Sequence, residues 1–135
     1  MRRVFTHRVE VRFRDCDPLG HVNNAVYLTY LEQARFSYWR QVWGFRDHQS
    51  SADIPGVILA RVECDYKRPA TYGEVLEVRM TVGDVGRTSF RFDYEIVNEE
   101  GRTVALAKTV LVMYDYAAGT SVPIPHRIRG LLETT

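Results

Sequence analysis

The chain has few cysteines. Among its 135 residues only Cys16 and Cys64 are cysteines, and they do not stand at the spacing of a metal-ligand or redox pair. The sequence therefore offers neither a disulfide framework nor a cysteine-based zinc site. This usage predicts a reducing, intracellular compartment.

An excess of charge is also missing. Eighteen Lys and Arg residues stand against 17 Asp and Glu residues, which leaves a formal net charge of +1. Proteins that bind the phosphate backbone of nucleic acid need a surplus of basic side chains. Nucleic acid is therefore not expected as a partner.

Long apolar runs are absent as well. No stretch approaches the ~20 apolar residues of a membrane span, and the first residues carry no export signal. We therefore expect a cytoplasmic protein with no membrane partner. The sequence has no phosphate-binding glycine loop, no Gly-x-Ser-x-Gly elbow and no His-Glu-x-x-His motif, which argues against nucleotide hydrolysis and triad hydrolases.

What is present fits a single domain over residues 1–135. Apolar and charged residues alternate from His7 to Arg14, which predicts a half-buried strand with Val9, Val11 and Phe13 facing the core. The same parity would point Asp15 and Asp17 toward the core. Four more strands are predicted, and the short turns between them favour an antiparallel meander. These strands are expected at 57–68, 75–82, 88–97 and 103–114, with a loosely structured, partly helical tail after residue 116.

A long helix is predicted between the first strand and the meander. Asn23 and Asn24 are candidate N-caps, the segment runs to about Trp43, and Gly44 stands where a left-handed C-cap belongs. Apolar residues occupy nearly every face of this helix. It must therefore be wrapped by a curved sheet or covered by a second copy of the chain.

The segment 15–24 has the highest density of chemically useful groups. It combines an inward carboxylate at Asp17, a tight Pro-Leu-Gly turn, the imidazole of His21 and a helix start at Asn24. The positive end of a helix polarises a carbonyl oxygen placed there, and a nearby carboxylate can attack it or deprotonate water. Such a site suits an acyl group that already carries a good leaving group, and it needs neither metal nor cofactor.

Structural interpretations of the same residues remain open. Asp17 before Pro18 can be a turn-initiating residue, Asp15 can be the partner of an arginine, and His21 can satisfy backbone groups in the turn. Asp15, Asp17 and His21 are too few ligands for a convincing metal site. Glu32 interrupts the apolar helix and is either the partner of Arg35 in an intrahelical ion pair or a second site carboxylate.

The segment Asp15-Cys16-Asp17-Pro18-Leu19-Gly20-His21-Val22-Asn23-Asn24, followed by Tyr27, Tyr30, Glu32, Ala34 and Arg35, resembles the hotdog-fold acyl-CoA thioesterases of the 4-hydroxybenzoyl-CoA thioesterase type. The resemblance covers nearly the whole chain. It implies an α+β hotdog fold, in which a curved antiparallel five-stranded sheet wraps around one long helix. It also implies a homodimer, often paired again into a dimer of dimers, with each active site built by two subunits.

The resemblance further implies roles for individual residues. Asp17 would be the general base or nucleophile, the amide near Asn24 would polarise the thioester carbonyl, and His21 would shape the acyl end of the site. No cofactor or metal is implied, and the acyl carrier is coenzyme A or an acyl carrier protein. The implied substrate-binding residues are Tyr27, Ile58, Leu59, Lys67, Arg68, Arg87, Thr88 and Ser89.

Two other functions are weighed against thioester hydrolysis. A non-catalytic acyl-CoA binding module would use Asp17 only as a turn residue. A hotdog dehydratase is disfavoured because the sequence has no catalytic histidine set beside Pro and Gly in the manner of that family. The length of the acyl chain does not follow from the sequence.

Overall fold

The computed structural model describes residues 3–45 and 55–134. One long helix lies against a curved antiparallel sheet, as predicted. The elements in chain order are β1 (Phe5–Glu10), a 3-10 turn (Phe13–Asp15), α1 (Asn24–Tyr38), a π-helical turn (Trp39–Trp43), β2 (Gly56–Tyr66), β3 (Val75–Val85), β4 (Ser89–Val97), β5 (Thr103–Asp115), β6 (Thr120–Ser121) and α2 (His126–Thr134).

The strand order of the sheet is β1-β3-β4-β5-β2, with the short β6 paired to the end of β5. The meander of β3, β4 and β5 is confirmed, but β2 does not pair with β3 as a four-strand meander would require. It pairs with β5 instead, from Gly56 opposite Tyr114 to Tyr66 opposite Ala105. β1 takes the place beside β3, so β1 and β2 form the two edges of the sheet.

The segment 67–74 explains why the predicted hairpin between β2 and β3 does not form. The amide of Lys67 donates to the carbonyl of Val104 at 2.8 Å, so the chain leaves β2 beside β5. It then crosses under the start of α1 and reaches the residue that follows β1, where the amide of Gly73 donates to the carbonyl of Val11 at 3.1 Å. This short stretch therefore spans the sheet from one edge to the other.

Alternation along the strands places the core as the sequence predicts. The even-numbered residues of β3 and β4 form one buried face against α1, as do the odd-numbered residues of β5. This is the pattern of an antiparallel sheet with one covered face. The buried members on β3 and β4 are Leu76, Val78, Met80, Val82, Phe90, Phe92, Tyr94 and Ile96.

The first strand is shorter than its alternation predicts. Val9 and Val11 are buried, but β1 ends at Glu10 and the chain then turns through a 3-10 helix. Phe13 is consequently 80% exposed, so its prediction as a core residue is wrong. The side chain instead packs edge-on against Tyr72 with ring centroids 5.9 Å apart.

The predicted helix is confirmed at both ends. The side chain of Asn23 caps its start, and Gly44 ends the π-helical turn in the left-handed conformation (φ 72°). Within one chain, however, the sheet covers only one face of α1, and Glu32 and Phe36 on the opposite side are exposed. Neither α1 nor α2 is long and apolar enough to cross a membrane.

Candidate active site

A tight hairpin places Asp17 beside the start of α1. Gly20 donates its amide to the carbonyl of Asp17 at 2.9 Å, and Asp17 donates its own amide to the carbonyl of His21 at 2.9 Å. Gly20 has a φ of 87°, which closes the hairpin in the left-handed region. The Asp-Pro-Leu-Gly order suits this geometry because Pro favours the second position of a type I turn and Gly follows it readily.

The carboxylate of Asp17 is half-buried. Its Oδ1 accepts the amide of Leu19 at 2.9 Å, which is the turn-initiating contact expected of an Asp before Pro. Its second oxygen makes no hydrogen bond within residues 3–45 and 55–134. One oxygen therefore fixes the side chain while the other remains available to a water molecule or a substrate.

The backbone amides at the start of α1 are almost all engaged. Asn23 donates to the carbonyl of Asp15, Ala25 donates to the side chain of Asn23, and Val26 donates to the carbonyl of Asn23, each at 2.9 Å. The amide of Asn24 is left without an acceptor in the described part of the chain. It stands at the positive end of the helix, so it is the donor best placed to meet a developing negative charge.

Asp15 is the carboxylate that turns fully inward, with 2% of its side chain exposed. Tyr30 donates its hydroxyl to Oδ2 at 2.8 Å, and Arg12 donates its amide to the same oxygen at 2.9 Å and its guanidinium to Oδ1. The interpretation of Asp15 as the partner of an arginine is thus confirmed. Of the two carboxylates expected to point inward, Asp15 is buried and Asp17 is half-buried, because the 3-10 turn interrupts the alternation between them.

These contacts set the titration of Asp15. Burial by itself would raise the pKa of this carboxyl, but the amide of Arg12, the hydroxyl of Tyr30 and the guanidinium of Arg12 together hold the pKa below its ordinary value. Burial and the bond to Asp15 raise the pKa of Tyr30 in turn. Asp15 is therefore an ionised structural anchor between β1 and α1.

Asp15→Asn should lower the free energy of unfolding by about 2 kcal/mol at neutral pH, because it removes a buried, fully bonded charge. The pKa of Asp15 is lower in the folded than in the unfolded chain, so its contribution is present above the ordinary Asp pKa and is lost as the pH falls through the folded value. Urea unfolding at pH 7 and at pH 3 should show that the difference in the free energy of unfolding between variant and parent is smaller at pH 3. An equal difference in the free energy of unfolding at both pH values would contradict this account. Tyr30→Phe should lower the free energy of unfolding by less than Asp15→Asn does.

Aromatic side chains form the wall behind the hairpin. Tyr27 is buried, accepts the amide of Ala70 at 3.2 Å on its hydroxyl, and stacks obliquely on Tyr66. Burial raises the pKa of Tyr27, so it stays protonated. Tyr66 donates its hydroxyl to the carbonyl of Asn24 at 2.9 Å and so links the end of β2 to the helix start. Tyr66 is not among the residues predicted from the sequence for the site, although it directly precedes Lys67 and Arg68, which are.

His21 and Glu32 are both exposed. The backbone of His21 completes the hairpin, but its imidazole makes no hydrogen bond or ion pair among the described residues. Of the two interpretations of Glu32, the intrahelical ion pair with Arg35 does not form, because the guanidinium of Arg35 turns to the hydroxyl of Tyr94 at 3.4 Å. In residues 3–45 and 55–134 no group of three His, Cys, Asp or Glu side chains is arranged to hold a metal ion.

The predicted substrate-binding residues do not converge within one chain. Lys67 contacts Val104 near the start of β5, whereas Ser89 and Ile58 both pair with Val112 near its end. At ~3.3 Å per residue, positions 104 and 112 lie about 26 Å apart. The helix-start end holds Asp17, His21, Asn24, Tyr27, Lys67 and Arg68, and the far end holds Ile58, Leu59, Arg87, Thr88 and Ser89.

Comparison with known proteins identifies the family. Residues 11–132 match the model of the thioesterase-like superfamily. The 1,4-dihydroxy-2-naphthoyl-CoA hydrolase of Synechococcus elongatus is 30% identical over 127 residues, covering 93% of this chain and 92% of that protein. The acyl-CoA thioester hydrolase YbgC of Escherichia coli O157:H7 is 27% identical over 112 residues, covering 83% of each.

Solved structures agree with this result. A thioesterase from Thermus thermophilus, solved in complex with coenzyme A and zinc, superimposes with a TM-score of 0.79 at 37% identity, covering 94% of this chain and 95% of that one. The curved sheet, the long helix and the sequence match together leave one assignment: the chain belongs to the thioesterase-like superfamily and has its hotdog fold.

Proposed function

We propose that the chain hydrolyses acyl-CoA thioesters to a free carboxylic acid and coenzyme A, with Asp17 and the amide of Asn24 as its catalytic groups. Two relatives are named as hydrolases of CoA thioesters, and a structural neighbour at 37% identity holds coenzyme A. The observation that supports the mechanism is that the hairpin leading into α1 carries the Asp17 carboxylate, which has one oxygen without a hydrogen bond, while the first amide of that helix, Asn24, has no acceptor among the described residues. Thioesters of an acyl carrier protein are the second class of substrate to test.

The amide of Asn24 supplies the electrophilic half of the reaction. A thioester oxygen that accepts this amide lies on the axis of α1, where the helix dipole favours negative charge. Attack on the carbonyl carbon moves a full negative charge onto that oxygen, so the bond strengthens in the transition state. Catalysis requires this difference, since equal binding of substrate and transition state would not raise kcat.

Asp17 supplies the other half. As a general base, its free oxygen takes a proton from water, and the resulting hydroxide adds to the carbonyl carbon. The tetrahedral intermediate then expels the thiolate, which recovers the proton from Asp17. As a nucleophile, Asp17 would instead displace the thiolate to form an anhydride, which water then opens. Both routes use the same oxygen, and the amide of Leu19 holds the carboxylate in place for either.

A second chain would bring the two ends of the site together. β2 is an edge strand, and its side chains Leu59, Val62 and Tyr66 point to the covered face of the sheet yet remain 47%, 37% and 44% exposed. A long apolar edge is a template for pairing with another strand. If two β2 strands pair antiparallel, the helix-start end of each chain meets the far end of its partner.

Antiparallel pairing of two β2 strands gives each of the other candidate residues a role in substrate binding. Tyr27 and His21 would shape the acyl end beside Asp17, and Ile58 and Leu59 of the partner subunit would line the path of the pantetheine. The exposed side chains of Lys67, Arg68 and Arg87 would meet the CoA phosphates, with Thr88 and Ser89 nearby. The homodimer is thus a requirement of the proposed active site, and a dimer of dimers is compatible with it.

Val62→Glu should separate the dimer and lower kcat/KM by at least about a hundredfold, because it places a charge at the centre of the proposed apolar interface. Sedimentation velocity and thiol release together measure both effects. Leu106→Glu is the matched control, since Leu106 is 42% exposed on the opposite face of the sheet. A Val62→Glu monomer with parental activity would show that one chain suffices.

The function itself is tested by thiol release from short, medium, long and aromatic acyl-CoA substrates, and from acyl carrier protein thioesters. We expect turnover of at least one CoA thioester. Tight binding of these compounds without any thiol released would identify a non-catalytic acyl-CoA binding module instead.

A further inference from the structure

Arg35 is a buried charge without a carboxylate partner in the part of the chain that the structure describes. It is 5% exposed, and among the described residues its guanidinium donates only to the neutral hydroxyl of Tyr94 at 3.4 Å, while its Nε finds no acceptor there. No ion pair reaches it from any side chain in residues 3–45 and 55–134. A buried guanidinium with weak neutral contacts is unfavourable unless an anion reaches it.

Glu32, on the same helix, is an exposed acidic side chain. It makes no hydrogen bond or ion pair within the described residues. It lies one turn before Arg35, on a stripe of α1 that continues to Leu28 on one side and to Trp39 on the other. Leu28 and Trp39 are both only half-buried, so the whole stripe borders the uncovered side of the helix.

The stripe is self-complementary. Its midpoint lies between Gln33 and Ala34, with Glu32 and Arg35 at equal distances on either side and with Leu28 and Trp39 at equal larger distances. An antiparallel copy of the helix, related by a two-fold axis through this midpoint, would place each Glu32 opposite an Arg35 and each Leu28 opposite a Trp39. Both contacts are favourable, and each occurs twice, as in an isologous interface.

The edge strand points to the same axis. Arg35 contacts Tyr94, Tyr94 shares a 2.6 Å hydrogen bond with Thr109, and Thr109 is in register with Val62 on β2. The middle of the stripe is therefore level with Val62 along the sheet.

Around Val62 the edge strand repeats the charge pattern. Arg61 and Glu63 flank it on the opposite face, where they form an exposed ion pair with each other. Antiparallel pairing of two β2 strands centred on Val62 sets Arg61 of each chain opposite Glu63 of the other. The strand and the helix thus suggest one common two-fold axis.

We propose that Glu32 of a second copy is the counter-ion of Arg35, so that two symmetric Glu32–Arg35 ion pairs fix the register of the dimer. This inference rests on the homodimer of the proposed function and adds the contact that defines it. It assigns Glu32 to the interface and not to the chemistry of thioester hydrolysis.

Complementary charge reversals test the pairing. Glu32→Arg alone and Arg35→Glu alone each place like charges at both contacts, so each variant should dimerise at least about a hundredfold more weakly than the parent. An equimolar mixture should form a heterodimer, because every contact then joins opposite charges. Sedimentation velocity with one variant fluorescently labelled measures both results. If Glu32 and Arg35 paired only within their own helix, mixing the two variants would not restore a dimer. Absence of association in the mixture therefore overturns the proposal.

Glu32→Gln covers the case in which a reversal at Arg35 prevents folding. Glu32 is exposed in the single chain, so this variant should fold as the parent does, yet its dimer should dissociate about tenfold more readily. Glu10→Gln, at another exposed position without a partner among the described residues, should leave the dissociation constant unchanged. A Glu32→Gln constant within twofold of the parent's, in a parent that is dimeric and active, would refute the ion pair and leave the proposed function standing.

Discussion

Asp17→Asn should reduce kcat by about a thousandfold, which corresponds to about 4 kcal/mol of transition-state stabilisation. The substitution keeps an oxygen that can accept the amide of Leu19, so the hairpin should persist. It removes the charge that, in the proposed mechanism, deprotonates water or attacks the thioester. Steady-state thiol release gives kcat, and the affinity for an acyl-CoA measured on the inactive variant should stay near the parent's KM.

A second substitution at the same position separates chemistry from turn formation. Asp17→Ala removes the turn contact as well as the charge, so it should match Asp17→Asn in activity and fall below it in thermal stability. If Asp17 were only a turn residue, Asn would behave as the parent and only Ala would be impaired. Asp65→Asn, which alters an exposed carboxylate at the same end of the sheet, controls for a general loss of charge.

Asn24→Pro should lower kcat by at least about a hundredfold, because it deletes the amide hydrogen that has no acceptor among the described residues and that we propose as the donor to the oxyanion. Proline is well tolerated at the first position of a helix, where its missing donor costs no intrahelical bond. The preceding residue, Asn23, already has a φ of −64° and a ψ of 141°, the conformation that proline demands of its neighbour. The variant should therefore fold with near-parental stability.

Asn24→Ala is the matched control for the proline variant. It removes the side chain but keeps the amide, so it should retain parental kcat within a few-fold. Loss of activity in both variants would move the catalytic role from the backbone to the side chain of Asn24. Parental kcat in Asn24→Pro, with the helix intact by circular dichroism, would exclude this amide as the donor to the oxyanion.

Local patterns in the sequence predicted most of the fold. Alternation along β3 and β4 identified the core face, and the Asn cap and Gly44 bounded the helix because each acts within a few residues. Strand order depends on pairing between distant segments, which alternation does not encode. The turn at 69–73 has the composition of a hairpin, yet the buried Ala70 and the bond from Lys67 to Val104 hold it as a crossing between sheet edges.

In the candidate site, too, features set by neighbouring residues were predictable, whereas features set by the pairing of distant strands were not. Asp17, His21 and Asn24 are close in sequence, so a single motif could predict their proximity. The separation of Lys67 from Ser89 follows from the register of β5 and could not be read from the chain. Arg35 looked like the helical partner of Glu32, because i and i+3 spacing does not reveal that Tyr94 stands on the neighbouring strand.

The free amide at residue 24 belongs to the main chain, and every amino acid except proline would carry it. Natural variation at this position can therefore change the side chain without removing the amide that we propose as the donor to the oxyanion. An asparagine codon cannot become a proline codon by any single-base change. The genetic code itself thus shields this donor from the commonest kind of mutation, whereas one base is enough to replace the carboxylate of Asp17.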